Sequence, residues 1–310
     1  LMTANAGIVV VPVAGLRKYL PTKETWQNAQ LHWEIGTEVE PEILAQRLVL
    51  MGYERQSMVG KPGEFSIRGS IVDVYPLNAE YPVRVELFDV EIDSIRYFEA
   101  DTQRSLENLE EVTISPMTDL VFSKADMNHG MMRLQDALEK RLATAKDQTE
   151  TDFLEEYFGQ LLSSWEQGIP TENAHYYTDF LYQQKTTLLD YLPENSLLFV
   201  DDYSRMMETE REIAREEAEW QTLKIEEMRV FSEQTFGVDF HDQLRKTARN
   251  TTFFSLFQKG MGNLRFQEVH NFQYRSMQQF FGQMPLLKAE VDRWQKQNQT
   301  VVVFVPTKER

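Results

Sequence analysis

The stretch GEFSIRGSIVDVYPLNAEYPVRVELFDVEID, residues 63–93, decides the fold of this chain. Residues 65–75 are rich in Ile, Val, Phe and Tyr, a composition that favours a β-strand. The sequence Pro-Leu-Asn at 76–78 predicts a turn that ends this strand. A second strand is predicted at 83–88 and a third at 90–98, so we expect a mostly antiparallel sheet.

The strand at 83–88 alternates strictly between aliphatic and other side chains, which places the two sets on opposite faces. The aliphatic set, predicted to face a core, is Val83, Val85 and Leu87. The other face carries Arg84 and Phe88, roughly 13 Å apart along the strand, and Arg68 on the neighbouring strand can join them. Arginine and aromatic side chains dominate many protein interfaces, so this face is a candidate protein-binding surface. In the alternative, Phe88 packs under another element, while the arginines are solvated or pair with Glu64 and Glu86.

Three motifs in this region carry a resemblance to a known family: RGSIVDVYP at 68–76, PVRVELF at 82–88 and DVEIDSIR at 89–96. Their order and spacing resemble the second domain of the bacterial transcription-repair coupling factors, a module that also occurs in the excinuclease component UvrB. The resemblance implies that the module binds UvrA, the damage-recognition component of nucleotide excision repair. It also implies that the contacting residues are Arg68, Arg84 and Phe88.

The fold that the resemblance implies is α/β. It is a degenerate RecA-like domain of the P-loop NTPase type, with a parallel sheet, interrupted by an inserted α+β UvrA-binding domain. Both ends of the chain look cut, as in a piece of a larger protein. The expected divisions are 1–36 for the first part of the RecA-like domain (N-terminally truncated), 37–114 for the insert, 115–275 for the second part, and 276–310 for a connecting helix and the first strand of a next, truncated domain.

Other elements are predicted from local patterns. Residues 8–13 are apolar without alternation, as in a strand buried on both faces of a parallel sheet. A helix at 41–51, with proline in its first turn and glycine after its end, is predicted to cover the inserted sheet. Residues 101–111 are predicted to be a polar connection. Helices are predicted at 127–146, 153–165, 205–228 and 277–296, and further strands at 196–202, 251–257 and 301–306.

A second candidate site is the acidic pair Asp201 and Asp202 at the end of an apolar run. ATPases use a strand-end acid to hold Mg²⁺. However, the chain contains no G-x-x-x-x-G-K-[ST] sequence, and Tyr203-Ser204 follows where UvrB has Ser-His. We therefore predict that the pair is an inactive relic, that one of the two acids caps the next helix, and that this piece uses no cofactor. The resemblance assigns ATP and Mg²⁺ to a downstream motor.

The composition of the chain argues against several classes of function. The net charge of −17 opposes binding to a phosphate backbone by this chain alone. The absence of cysteine excludes disulfides and thiolate chemistry and fits a reducing, cytoplasmic location. The chain contains no run of eighteen apolar residues, so no membrane span is predicted, and no secretory leader is visible. The histidines, at 32, 129, 175, 241 and 270, show no H-x-x-x-H spacing, so no zinc site is expected.

The function that the resemblance implies is recruitment of UvrA to stalled RNA polymerase by a non-catalytic binding module. In the family, the intact protein is an ATP-driven DNA translocase. It binds RNA polymerase and double-stranded DNA through other regions, and its C-terminal domain masks the UvrA-binding surface. The alternative is a fragment of the excinuclease component UvrB, an ATP-dependent, damage-verifying helicase. That protein needs a phosphate-binding loop and an aromatic DNA-clamping hairpin, and this chain shows neither.

Overall fold

The computed structural model describes residues 7–77, 79–167, 171, 173–255, 264–272, 280 and 282–303. The chain divides into two units, Leu1–Met261 and Gly262–Arg310. None of the described helices combines the length and the apolar character that crossing a bilayer demands.

The described strands are β1 (Leu31–Glu34), β2 (Glu54–Arg55), β3 (Glu64–Arg68), β4 (Ile71–Val74), β5 (Val83–Phe88), β6 (Glu91–Phe98), β7 (Ser105–Leu109), β8 (Glu111–Ile114), β9 (Leu198–Asp201) and β10 (Thr251–Phe254). Six of them form one sheet in the order β2-β3-β4-β5-β6-β7. All neighbours in it are antiparallel except β2 and β3. Strands β1 and β8 form a separate antiparallel ribbon, and β9 and β10 form a parallel pair.

The described α-helices are α1 (Val13–Arg17), α2 (Lys23–Ala29), α3 (Pro41–Leu50), α4 (Lys124–Leu142), α5 (Gln148–Glu166), α6 (Thr178–Leu181), α7 (Leu188–Tyr191), α8 (Tyr203–Glu226), α9 (Phe240–Lys246) and α10 (Met284–Lys296). A 3₁₀ helix, Ala174–Tyr177, precedes α6. Among the described residues of the second unit, α10 is the helix present.

The six-stranded sheet has one aliphatic face, and this face forms a core with α3 and the β1–β8 ribbon. The predicted inward set is confirmed, because Val83, Val85 and Leu87 are all buried. Leu48 of α3 is fully buried in the same cluster, so this helix covers the sheet as predicted. Trp33 of β1 adds a large ring to this core.

The single strand predicted at 65–75 is wrong, since β3 and β4 form a hairpin joined at Gly69-Ser70. Gly69 has φ +63°, a left-handed conformation that glycine adopts at little cost. Glycine at the first central position of a two-residue turn matches the right-handed twist of the flanking strands. The predicted polar connection at 101–111 is also wrong, because it contains β7 and the first residue of β8.

Helices α4 and α5 form the second core, with aromatic and aliphatic side chains from the segment around α6. Tyr177 is buried there, and its hydroxyl donates to the Arg229 carbonyl at 2.5 Å. Burial is the main cause that raises the pKa of this hydroxyl. The helices predicted at 127–146 and 153–165 are confirmed with shifted bounds.

The parallel sheet of a RecA-like domain is not confirmed. The strand predicted at 8–13 is wrong, because Ile8 and Val10 are 94% and 90% exposed and residue 13 begins α1. An apolar run becomes a buried strand only where neighbours supply hydrogen bonds and cover, and no described strand pairs with residues 8–11. Strand β9 does not show the burial that its apolar run predicts, since Phe199 is 63% exposed.

Helix α8 confirms the helix predicted at 205–228, and α10 confirms most of the one predicted at 277–296. The start of that second prediction, at 277–279 and 281, lies outside the described residues. Strand β10 confirms residues 251–254 of the strand predicted at 251–257. Residues 256–257 of that prediction also lie outside the described residues. The strand predicted at 301–306 is not seen at 301–303, and its remainder is outside the described part of the chain.

Candidate functional site

Asp73 of β4 organises the polar face of the six-stranded sheet. Its side chain is fully buried, and it lies directly opposite Arg84 of β5. Arg84 donates to it through Nε at 2.7 Å and through Nη2 at 2.8 Å. Arg68 of β3 donates to the same carboxylate through Nη2 at 2.7 Å. One buried acid therefore holds two of the three predicted site residues in place.

Arg84 lies mostly beneath the surface, with 11% of its side chain exposed. Its guanidinium stacks over the Phe98 ring at 4.2 Å from the ring centre and donates to Gln103 Oε1 at 2.8 Å. The hydrogen bonds with Asp73 raise the pKa of Arg84, although burial opposes this shift. Arg84 is therefore a fixed cation whose Nε and Nη2 donors are used inside the fold.

Arg68 and Phe88 form the exposed part of this face. The Arg68 side chain is 44% exposed and Phe88 is 79% exposed. Arg68 lies opposite Ile71, which lies opposite Glu86, and Phe88 follows two residues further along β5. This register separates the Cα atoms of Arg68 and Phe88 by roughly 12 Å. An exposed phenyl ring and a half-exposed guanidinium therefore share one surface, which we call the Arg68–Phe88 surface.

Phe88 is the last residue of β5, where the chain turns through Asp89 at φ +59°. The backbone N–H of Leu87 donates to the Ser70 carbonyl at 2.8 Å, so the β3–β4 turn lies beside this end of β5. Two turns therefore frame the ring, which projects from the end of an interior strand of the sheet. Sites on sheets hold their geometry better than sites on long loops.

An ion pair next to this surface is satisfied internally. Arg96 of β6 donates to Glu86, and Ser94 adds a hydroxyl contact at 3.4 Å. The hydrogen bond from Arg96 holds the pKa of Glu86 below its ordinary value. The three arginines of this face are thus paired with Asp73 and Glu86, and the acid Glu91 lies directly opposite Phe88.

The alternative arrangement considered from the sequence is wrong in its details. Phe88 is exposed rather than covered. Arg68 and Arg84 pair with Asp73, while Glu64 instead accepts from the backbone of residues 60 and 61. Sequence reasoning missed Asp73, yet a signal was present, because a lone acid stands between aliphatic residues in the run IVDV at 71–74.

The structure assigns Asp202 a helix-capping role, as predicted for one of the two acids. Asp202 is the N-cap of α8, with φ +50°, and its carboxylate accepts from the Arg205 backbone N–H at 3.3 Å. Asp201 ends β9 opposite Phe254 and is exposed. The inactivity of this pair toward nucleotide stays a prediction.

Residues 31–120 match the family model described as the UvrB interaction domain. This match places the module built on the six-stranded sheet in the class of UvrB interaction domains. The match begins with β1, whose Leu31 and Trp33 pack into the module's core. The division at 37 and 114 stays a prediction, as do the other domain limits.

The whole chain is also similar to transcription-repair-coupling factors. It is 38% identical to that of Bacillus subtilis (strain 168) over 310 residues, which is 100% of this chain and 26% of the relative. It is 33% identical to that of Staphylococcus aureus (strain bovine RF122 / ET3-1) over 315 residues, which is 99% of this chain and again 26% of the relative. The resemblance to this family is confirmed, and the chain spans about a quarter of the length of these relatives.

Proposed function

We propose that this chain is the UvrA-binding part of a transcription-repair coupling factor and recruits UvrA to stalled RNA polymerase. The observation that carries the proposal is the Arg68–Phe88 surface, which a UvrB interaction domain presents on a rigid sheet. This piece acts as a non-catalytic protein-binding module and needs no cofactor of its own.

Each side chain of the surface has a distinct task in this proposal. Phe88 enters an apolar hollow of UvrA, where burial of an aromatic ring supplies much of the binding energy. Arg68 donates charge-assisted hydrogen bonds to carboxylates or carbonyls of UvrA, because only its Nη2 is used by Asp73 among the described contacts. Arg84 contributes positive charge from below and fixes Asp73, so it positions Arg68.

Further activities belong to the intact protein in this proposal. ATP and Mg²⁺ act in a downstream motor that moves on double-stranded DNA, and RNA polymerase binds elsewhere in the protein. A C-terminal domain masks the Arg68–Phe88 surface until the protein is engaged, and the whole protein works in the cytoplasm. The alternative parent, the excinuclease component UvrB, is less well supported, because coupling factors of Bacillus subtilis and Staphylococcus aureus match across 99–100% of this chain.

The proposal is tested by titrating the purified chain with UvrA in a calorimeter or on a biosensor. Phe88→Ala is expected to weaken binding by about 2 kcal/mol, or about 30-fold in Kd, because it removes the exposed anchor. The fold is expected to survive, since this side chain supports no core.

Phe199→Ala is the matched control. It removes another exposed phenyl ring, on the β9–β10 pair, and is expected to leave UvrA affinity unchanged. The wild-type chain is expected to bind neither ATP nor double-stranded DNA in parallel titrations. Wild-type UvrA affinity in Phe88→Ala, or in a variant with Arg68, Arg84 and Phe88 all changed to alanine, would refute the proposal.

A further inference from the structure

A separate cluster of metal-ligating side chains lies on the outer face of the β1–β8 ribbon. One ligand atom each from His32, Glu34 and Glu111 lies within 4.8 Å of the other two. Strand alternation explains the grouping on β1, because Leu31 and Trp33 point into the core while His32 and Glu34 point outward. The ribbon register then places Glu111 of β8 directly opposite Glu34.

His32 is oriented in a way that suits metal binding. Its Nδ1 lies 3.2 Å from Thr113 Oγ1, its direct cross-strand neighbour. When Nδ1–H donates to this hydroxyl, Nε2 carries the free lone pair. Nε2 lies 3.5 Å from Glu111 Oε2. Metal-bound histidines commonly have the other ring nitrogen held by such a hydrogen bond, which fixes the tautomer and the ring orientation.

The electrostatics of the ribbon favour a bound cation. Like charges directly opposite each other destabilise an antiparallel pair, and Glu34 and Glu111 are such a pair. Within the described part of the chain, no lysine or arginine forms an ion pair with either carboxylate, and His32 compensates Glu111 only when it is protonated. A divalent ion bound between the two strands offsets this repulsion.

We propose that His32, Glu34 and Glu111 bind Zn²⁺. One imidazole nitrogen and two carboxylate oxygens suit zinc better than magnesium or calcium, which prefer oxygen ligands throughout. Tetrahedral zinc places its ligand atoms roughly 3.4 Å apart. The three side chains are exposed and thus free to rotate toward that spacing from their present separation of up to 4.8 Å. Three protein ligands leave the fourth position to water or to a side chain of a binding partner.

The spacing of the histidines in the sequence led us to expect no zinc site, and this proposal departs from that expectation. The ligands are a His-x-Glu pair on one strand and Glu111 on another, which is distant in the sequence. Only the pairing of β1 with β8 brings them together. The site does not depend on UvrA binding, because it uses the ribbon and not the Arg68–Phe88 surface.

The test is calorimetric titration of the tag-free, chelator-treated chain with ZnCl₂. We expect one site with a Kd in the micromolar range for the wild-type chain. His32→Ala and Glu111→Gln are expected to weaken binding at least about 10-fold. Thr113→Val, which removes the hydroxyl but no ligand, is expected to weaken it about 10-fold.

His270→Ala is the matched control, because His270 pairs with the carboxylate of Glu268 at 3.1 Å, and among the described residues no third ligand joins this pair. This variant is expected to bind zinc as the wild-type chain does. In chelator, His270→Ala should melt at the wild-type temperature, and Glu111→Gln should melt no lower, because it removes the repulsion between Glu34 and Glu111. Zinc should raise the melting temperature of the wild-type chain. Unchanged zinc affinity in His32→Ala, or no binding at about 100 μM zinc, would overturn the proposal.

Discussion

Replacing Asp73 by asparagine tests the network beneath the Arg68–Phe88 surface. The change keeps the shape of the side chain but removes the negative charge that faces Arg68 and Arg84. Removing one partner of a buried ion pair costs about 3–5 kcal/mol, because the other charge is left without compensation. Asp73 is fully buried, and 11% of the Arg84 side chain is exposed.

Two features place the expected loss at the lower end of that range. Arg68 is 44% exposed and regains water when Asp73 no longer holds it. Arg84 keeps Gln103 and the Phe98 ring as partners. We therefore expect Asp73→Asn to lower the unfolding free energy of the sheet module by about 3 kcal/mol.

Hydrogen exchange followed by mass spectrometry measures this loss locally, because separate regions of a chain open with separate free energies. Amides of β3–β6 should exchange faster in Asp73→Asn, while those of the α4–α5 core should serve as an internal reference. Arg84→Ala should destabilise the sheet more than Arg68→Ala, since it loses two hydrogen bonds to Asp73 and the ring contact. A change below about 1 kcal/mol in Asp73→Asn would show that the network is not held as a buried ion pair.

Two other predictions concern pH and packing. The hydrogen bond from Arg96 lowers the pKa of Glu86 on folding. Ionised Glu86 therefore stabilises the fold at pH values above its ordinary pKa of 4.5, and this stabilisation is lost as the pH falls through the lower pKa of the folded state. Urea unfolding at several pH values should therefore show the gap between wild type and Glu86→Gln closing below pH 4.5; a gap that widens there would contradict this. In Gly130→Ala the new Cβ would lie 2.6 Å from Leu181 Cδ2 and 3.0 Å from its Cα. Such overpacking costs about 1–3 kcal/mol, whereas the better helix propensity of alanine contributes about 1 kcal/mol. The melting temperature of Gly130→Ala should therefore fall below that of the wild-type chain. A rise would contradict the close contact between α4 and α6.

The local sequence pattern determined which side chains of the sheet module face its core and where α3 begins. Alternation at 83–88 decided which side chains enter the core and left Phe88 on the opposite face, where it is 79% exposed. Proline at position 41 and the spacing of Leu44 and Leu48 marked α3 and its buried side. These features are local, because strand and helix periods are properties of neighbouring residues.

Residues 8–13 show where local pattern fails. Their apolar run matches a buried parallel strand, yet Ile8 and Val10 are almost fully exposed. Burial of such a run depends on which other strands lie beside it, and those partners are distant in sequence. The same limit explains why the pattern at 65–75 predicts one strand, since a glycine in a strand pattern does not by itself show that the chain reverses.

Tertiary structure alone decided the partners of the candidate site residues. Asp73 holds both Arg68 and Arg84 because three strands align in one particular register, and His32 meets Glu111 because β1 pairs with β8. Register is set by the hydrophobic pattern of the buried face together with the geometry of the turns. The sequence by itself determined the face on which each side chain lies, while the pairing of distant strands decided which charges meet there.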